Sequence, residues 1–316
     1  MKRLAVLLSG RGSNFEAIAD RIKEGKLLAR IEVVVSNVDA APALEKARQR
    51  GLNTVVLNSK ELGKEKFEQT LEKTLKDLKV DLICLAGFMR ILSPSFIHKF
   101  PNQILNIHPS ILPKYRGPSP VVAAILNGDS KTGVSIMSLD KGMDTGPILA
   151  QKEIPITTKY TTPDLTSKLF HIGSELLIET LPKLLNGTIK YQHQNDSKST
   201  YTSFLRKEDG NINWTNPAKQ IANQIRAYIP WPGTYTYWKG QQLKILSAEP
   251  DDKFIDDQKP GQVLTSMNKN IIPVVTSKGL LLVDKLQMQG KNPLGAKEFL
   301  QGYPELVGDR LENSKV

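Results

Sequence analysis

Apolar residues follow two alternating rhythms along the first part of the chain. Short β-branched or leucine-rich runs, as at Leu4-Ala5-Val6-Leu7-Leu8, predict buried strands. Between them apolar positions recur every three or four residues, as at Phe15, Ile18, Ala19 and Ile22, and predict amphipathic helices. Strands are expected over 4–8, 31–35, 54–57, 81–85 and 104–108, with helices over 14–22, 42–49 and 64–78. Pro42 suits the first turn of its helix, where a missing N–H costs nothing. Strands alternating with helices build a doubly wound, mostly parallel α/β sheet. A helix near 121–126, strands over 133–139 and 148–154, and a helix over 164–185 follow, with Thr162 or Asp164 as cap.

The texture then changes. Residues 190–201 are polar, lack any period and read as a linker. Beyond them a helix over 221–228 and short strands over 235–238, 243–246, 262–265, 272–276 and 279–285 predict a small OB-like β-barrel. A catalytic domain over 1–189, a linker over 190–206 and a barrel domain over 207–316 are therefore expected.

Hydrophobic content of 40% and charged content of 24% are those of a globular protein. Met1-Lys2-Arg3 precedes an apolar run too short for a signal peptide, and no segment approaches a membrane span. The lone Cys84 lies in an apolar run and has no partner for an intrachain disulfide, which suits a reducing cytosol. A cytoplasmic protein with no membrane contact is expected. The four histidines lack metal-ligand spacing, so catalysis is expected to need no metal. Net charge is +11, with 29 Lys+Arg against 20 Asp+Glu in residues 1–206 and 14 against 12 in the remainder. That excess favours a polyanion such as RNA, or serves solubility, and does not decide between them.

The chemistry concentrates at Asn106-Ile107-His108-Pro109, where a buried strand ends in a carboxamide and an imidazole, answered by Asp144 in Gly142-Met143-Asp144-Thr145-Gly146. Open parallel sheets present chemistry at strand ends. An amide donor, an imidazole and a carboxylate together suit proton transfer and oxyanion stabilisation in acyl chemistry. Each residue alone is more readily a core or turn residue; the combination is what points to catalysis. Gly10-Arg11-Gly12-Ser13-Asn14 offers a helix N-terminus to an anion, although Ser13 or Asn14 is also an ordinary cap. Ala86-Gly87-Phe88-Met89-Arg90-Ile91-Leu92 offers backbone amides to a flat heterocycle, or simply caps the core.

Asn106, His108 and Asp144, with Ser110-Ile111-Leu112-Pro113, Lys114-Tyr115-Arg116-Gly117 and Thr132-Gly133-Val134, resemble the formyltransferases that use 10-formyltetrahydrofolate. Residues 1–110 are most similar to the phosphoribosylglycinamide formyltransferase branch, through Ser9–Asn14, Val35-Ser36-Asn37 and 86–90. From about Arg116 onward the chain resembles the methionyl-tRNA formyltransferase branch, through Lys207–Trp214, Ile225-Arg226-Ala227 and Pro230–Tyr237. The resemblance implies a Rossmann-like catalytic domain and a monomer that formylates methionyl-tRNA; the alternative acceptors are glycinamide ribonucleotide or an amino sugar nucleotide. It assigns Asn106 and His108 to the formyl oxygen and Asp144 to orienting His108 and assisting proton transfer. It places the folate along Met89, Arg90, Ile91 and Leu92 and beside Ser110, Ile111, Leu112 and Pro113. Gly12, Ser13, Asn14, Arg11, Lys114 and Arg116 are the expected acceptor-binding residues. One departure stands out: the tRNA branch carries a basic insertion between the second strand and second helix, whereas here that connection is Ser36-Asn37-Val38-Asp39-Ala40-Ala41.

Overall fold

The computed structural model describes residues 1–253 and 258–314, and the side chain of Ser13 lies outside that description. The chain divides into two compact units, the first Met1–Pro120, Thr132–Ile154 and Thr166–Thr202, the second Val121–Lys131, Pro155–Leu165 and Ser203–Val316.

The first unit is built on a seven-stranded sheet: β1 (Lys2–Leu8), β2 (Ala29–Ser36), β3 (Thr54–Val56), β4 (Leu82–Leu85), β5 (Ile104–His108), β6 (Lys131–Ser138) and β7 (Ile148–Pro155). Their order is β3-β2-β1-β4-β5-β6-β7, parallel through β5, with β6 antiparallel to β5. The helices of the chain up to this boundary are α1 (Ser13–Lys23), α2 (Pro42–Gln49), α3 (Ser59–Asp77), α4 (Pro94–His98), α5 (Pro120–Leu126) and α6 (Thr162–Leu185). Winding reverses between β1 and β4, so the loops leaving β1, β4 and β5 surround the crevice where such sheets take ligands. β1 and β4 are buried along their central residues, as continuous apolar runs require, and Leu7, Val35, Phe67, Ile83 and Phe96 share one core.

Several boundaries differ from expectation for local reasons. Helix α3 starts before residue 64: Asn58 Oδ1 accepts from Lys60 N–H at 3.1 Å, and a left-handed Gly63 (φ 70°) breaks the first turn from the rest. The short α4 was not expected, because five residues carry no readable period; Ser93 Oγ caps it at 3.2 Å from Phe96 N. Helix α6 is capped from Thr161, whose N–H and hydroxyl both donate to Asp164 Oδ2, at 3.1 and 2.5 Å. Asp164 thus acts from the third helical position rather than as the cap. A Cβ added at Gly173 of α6 would lie 2.5 Å from Ile107 Cγ2, so this glycine lets the helix approach β5 closely behind the site.

In the second unit β8 (Thr234–Trp238), β9 (Gln241–Asp251), β10 (Ile272–Val275) and β11 (Leu280–Met288) form an antiparallel OB-like sheet in the order β10-β11-β9-β8, with β12 (Leu294–Gly295) on β11. Helices α7 (Ala218–Ala227) and α8 (Ala296–Gly302) accompany it. Thr234, Thr236 and Trp238 point inward and Tyr235 and Tyr237 lie between them, the period-2 pattern of a sheet with one buried face. Trp214, Ile221, Leu243, Val274, Leu281 and Phe299 share its core. The strand expected over 262–265 is reduced to single bridges, Gln262 to Arg310 and Val263 to Val274. Among the described residues no helix is long and apolar enough to cross a membrane.

Candidate active site

Strand β5 delivers Asn106 and His108 to one face, because side chains two apart in a strand point the same way. His108 is 4% exposed. Its Nε2 lies 2.9 Å from the Tyr115 carbonyl oxygen, which only accepts, so Nε2 carries the hydrogen and Nδ1 of the neutral ring presents a lone pair. Nδ1 lies 3.6 Å from Asp144 Oδ2, within electrostatic reach but too far for a direct hydrogen bond. Asp144 Oδ2 also accepts from Gly117 N–H at 2.8 Å. The half-buried Asn106 carboxamide has no hydrogen-bond partner among the described residues.

Burial holds the His108 pKa below the ordinary histidine value, against the Asp144 charge and the Tyr115 carbonyl, which both raise it. The ring is therefore neutral near pH 7. Removing the carboxylate charge removes an opposing influence, so in Asp144→Asn the His108 imidazole is expected to titrate at still lower pH. An NMR titration of its ring protons checks this; an upward shift would contradict it.

Asp144 sits in a left-handed conformation, φ 54°. Its turn is tied by Asp140 Oδ1, which accepts from Gly142 N–H at 3.0 Å and the Thr145 hydroxyl at 2.6 Å. A Cβ on Gly146 would stand 1.9 Å from the Ser138 carbonyl oxygen, so only glycine closes the turn. Gly146→Ala is expected to lower stability by at least ~2 kcal/mol through this overlap, read as a fall in thermal midpoint, and to lower turnover further by moving Asp144.

The loop after β5 is fixed from beneath. Ser135 Oγ donates to Ser110 O (2.7 Å) and accepts from Leu112 N–H (3.1 Å) and Gln151 Nε2 (2.8 Å). Ser110 and Leu112 are buried at 0% and 2% exposure, whereas Ile111 and Pro113 are half-buried. In the loop after β4, Met89 and Ile91 are 73% and 70% exposed and Arg90 is exposed, but Leu92 lies in the core. The backbone groups of Arg90, Ile91 and Leu92 have no hydrogen-bond partner among the described residues. Ser9 Oγ fixes this loop by accepting from Met89 N–H at 2.7 Å while donating to Asn37 Oδ1 at 2.5 Å.

Two of the residues expected to meet the acceptor, Asn14 and Arg116, are engaged within the fold instead. Gly12 (φ 75°) is the cap of α1, not Ser13 or Asn14, and an added Cβ would lie 2.4 Å from Ala43 Cβ. Ser13 opens the helix, and its side chain is outside the described residues. Asn14 is 3% exposed and its Oδ1 accepts from the Ser174 hydroxyl. Arg116 is 1% exposed, with Nε on Gln194 Oε1 (3.0 Å), one terminal nitrogen on Tyr201 Oη (2.8 Å) and the other on Asp196 Oδ1 (2.7 Å). A guanidinium so engaged holds the fold and is not free for a substrate. Arg11 and Lys114 are exposed. Sequence reasoning missed the contacts of the Tyr115 carbonyl and the Gly117 N–H, which are backbone groups, and of Gln194, which lies in a tract without a period.

Residues 2–181 match the family described as formyl transferase. The chain belongs to the formyl transferase family. Residues 205–304 match the formyl transferase C-terminal domain. The methionyl-tRNA formyltransferase of Roseiflexus castenholzii is 42% identical over 237 residues, covering 75% of each chain. Glycinamide ribonucleotide transformylase 1 from Geobacillus kaustophilus is 37% identical with a TM-score of 0.56, over 58% of this chain and 99% of its own. An N-formyltransferase from Helicobacter canadensis shares the fold across both units, with a TM-score of 0.68 at 22% identity over 91% of this chain and all of its own. This formyl transferase therefore carries its Asn106–His108–Asp144 constellation on the N-terminal family domain, within residues 2–181.

Proposed function

We propose that the chain transfers the formyl group of 10-formyltetrahydrofolate to the α-amino group of methionyl-tRNA. The observation that carries the choice of acceptor is the likeness to methionyl-tRNA formyltransferases, such as that of Roseiflexus castenholzii at 42% identity over 75% of the chain. The glycinamide ribonucleotide transformylase from Geobacillus is matched over 99% of its length yet covers only 58% of this chain. The absent basic connection after β2 favours a second acceptor class, a small amine on a nucleotide.

The unpaired backbone at 90–92, with the exposed side chains of Met89 and Ile91 beside it, fits a flat heterocycle that hydrogen-bonds along one edge and stacks on apolar side chains. The amine nitrogen attacks the formyl carbon, and the bond from that carbon to the folate nitrogen breaks. Negative charge gathers on the formyl oxygen, and the unpaired Asn106 carboxamide N–H is the donor aimed at it. His108 was expected as a second donor, but its Nε2–H is committed to the Tyr115 carbonyl. Its Nδ1 instead accepts the proton the amine loses, and Asp144 stabilises the imidazolium so formed. The same proton then passes to the departing folate nitrogen. An aminoacyl ester's amine is weakly basic and largely neutral near pH 7, so the site mainly supplies position and electrostatics.

Recognition of an RNA releases counterions. With three phosphate contacts, tRNA affinity is expected to fall by roughly 40-fold between 50 and 200 mM salt. A flat salt dependence of tRNA binding would favour the small-amine acceptor.

A further inference from the structure

In the polar tract 191–198 only Gln194 is drawn partly inward. Its Nε2 donates to two carbonyls of the catalytic turn, Asp144 O at 2.8 Å and Gly146 O at 2.7 Å, while its Oε1 accepts from Arg116 Nε at 3.0 Å. Both carboxamide hydrogens and the oxygen are therefore engaged. The two carbonyls bracket Thr145, so the contact fixes the direction in which the chain leaves Asp144, a residue already held left-handed at φ 54°.

Three consecutive residues link this amide to the reacting groups. Tyr115 O meets His108 Nε2, Arg116 grips Gln194, and Gly117 N–H holds Asp144 Oδ2. The tripeptide is itself tied down by the tract that contains Gln194. Tyr115 N–H donates to Thr200 Oγ1 (2.8 Å), Arg116 N–H to Thr200 O (2.9 Å), and Thr202 N–H to Arg116 O (2.8 Å). Imidazole and carboxylate are thus held 3.6 Å apart by one closed circuit, in which Gln194 is, among the described residues, the one side chain of the tract hydrogen-bonded to the turn of Asp144.

We propose that Gln194 is a positioning residue for Asp144, keeping the carboxylate beside His108 Nδ1 by hydrogen-bonding both carbonyls of its turn. The proposal rests on the formyl-transfer function proposed above. Gln194→Glu is the discriminating change: the carboxylate still accepts from Arg116 but has no proton for either carbonyl. A displaced catalytic group costs up to ~100-fold, so kcat is expected to fall ~10- to 100-fold, with KM for the folate donor and for methionyl-tRNA within about twofold. Gln194→Met, uncharged and of similar length, is expected to move the His108 NMR titration in the same direction as Asp144→Asn. In the Asp144→Asn background, Gln194→Glu is expected to cost less than about threefold more, because what it positions is already gone.

Asp144→Asn with full turnover would remove the assigned role of Asp144 itself. Asp144→Asn impaired, but both Gln194 variants at full turnover, would overturn the role of Gln194 alone. So would an effect that multiplies fully with Asp144→Asn, or a His108 titration unmoved in Gln194→Met. If Gln194→Glu does not fold, the same kinetic and double-variant outcomes are read from Gln194→Met.

Discussion

Asn106→Ala is expected to lose at least ~100-fold in turnover while the protein stays folded, the usual scale for removing one donor to a developing oxyanion. The carboxamide is half-buried on β5 and hydrogen-bonded to nothing else among the described residues, so its removal breaks no hydrogen bond. Its loss should appear in kcat more than in KM, because the charge it serves arises only as the amine attacks. Asn106→Asp should be no better: an isosteric carboxylate cannot donate and would repel the oxyanion. Single-turnover formylation, with circular dichroism to confirm folding, measures both. Near-native turnover in either variant would remove Asn106 from the chemistry.

Arg116→Ala is expected to lower stability by about 2–4 kcal/mol, among the larger costs of a single change in this chain. Little of this comes from the ion pair, since Asp196 is 83% exposed and water screens it. The cost comes from emptying a space in which Arg116 is 1% exposed and from leaving Gln194 Oε1 without its donor. Arg116→Lys keeps the charge but cannot reach three acceptors with one ammonium, so it should recover only part of the loss. Urea unfolding of both variants checks the order; equal stability of Arg116→Ala and the unsubstituted protein would show that the segment 194–202 stands without it.

The sheet was legible because its central strands β1 and β4 are short apolar runs buried on both sides and its helices carry clear stripes. The trio proposed for catalysis could be picked out because Asn106 and His108 share a strand face and a glycine-flanked aspartate answers them, and the fold brings Asp144 Oδ2 to 3.6 Å from His108 Nδ1. What was hidden acts without a period. Gln194 lies in a tract whose composition resembles a linker, yet its amide spans the turn of Asp144. Tyr115 and Gly117 work through a carbonyl and an N–H, groups every residue carries. Arg116 was expected to meet the acceptor because charge in a sequence says nothing of burial, whereas in the fold its guanidinium is taken up by three acceptors. The strand expected over 262–265 had the right residues, but Gly261 at φ 90° packs against Leu311 O and the chain makes only single bridges there.

The most direct measurement supplies the purified chain with 10-formyltetrahydrofolate carrying a labelled formyl group and offers methionyl-tRNA and glycinamide ribonucleotide separately. The expected result is label on the α-amine of methionyl-tRNA, released as N-formylmethionine when the ester is hydrolysed, with a far lower kcat/KM for the ribonucleotide. Label on glycinamide ribonucleotide and none on methionyl-tRNA would contradict the proposed acceptor and leave the formyl-transfer centre in place.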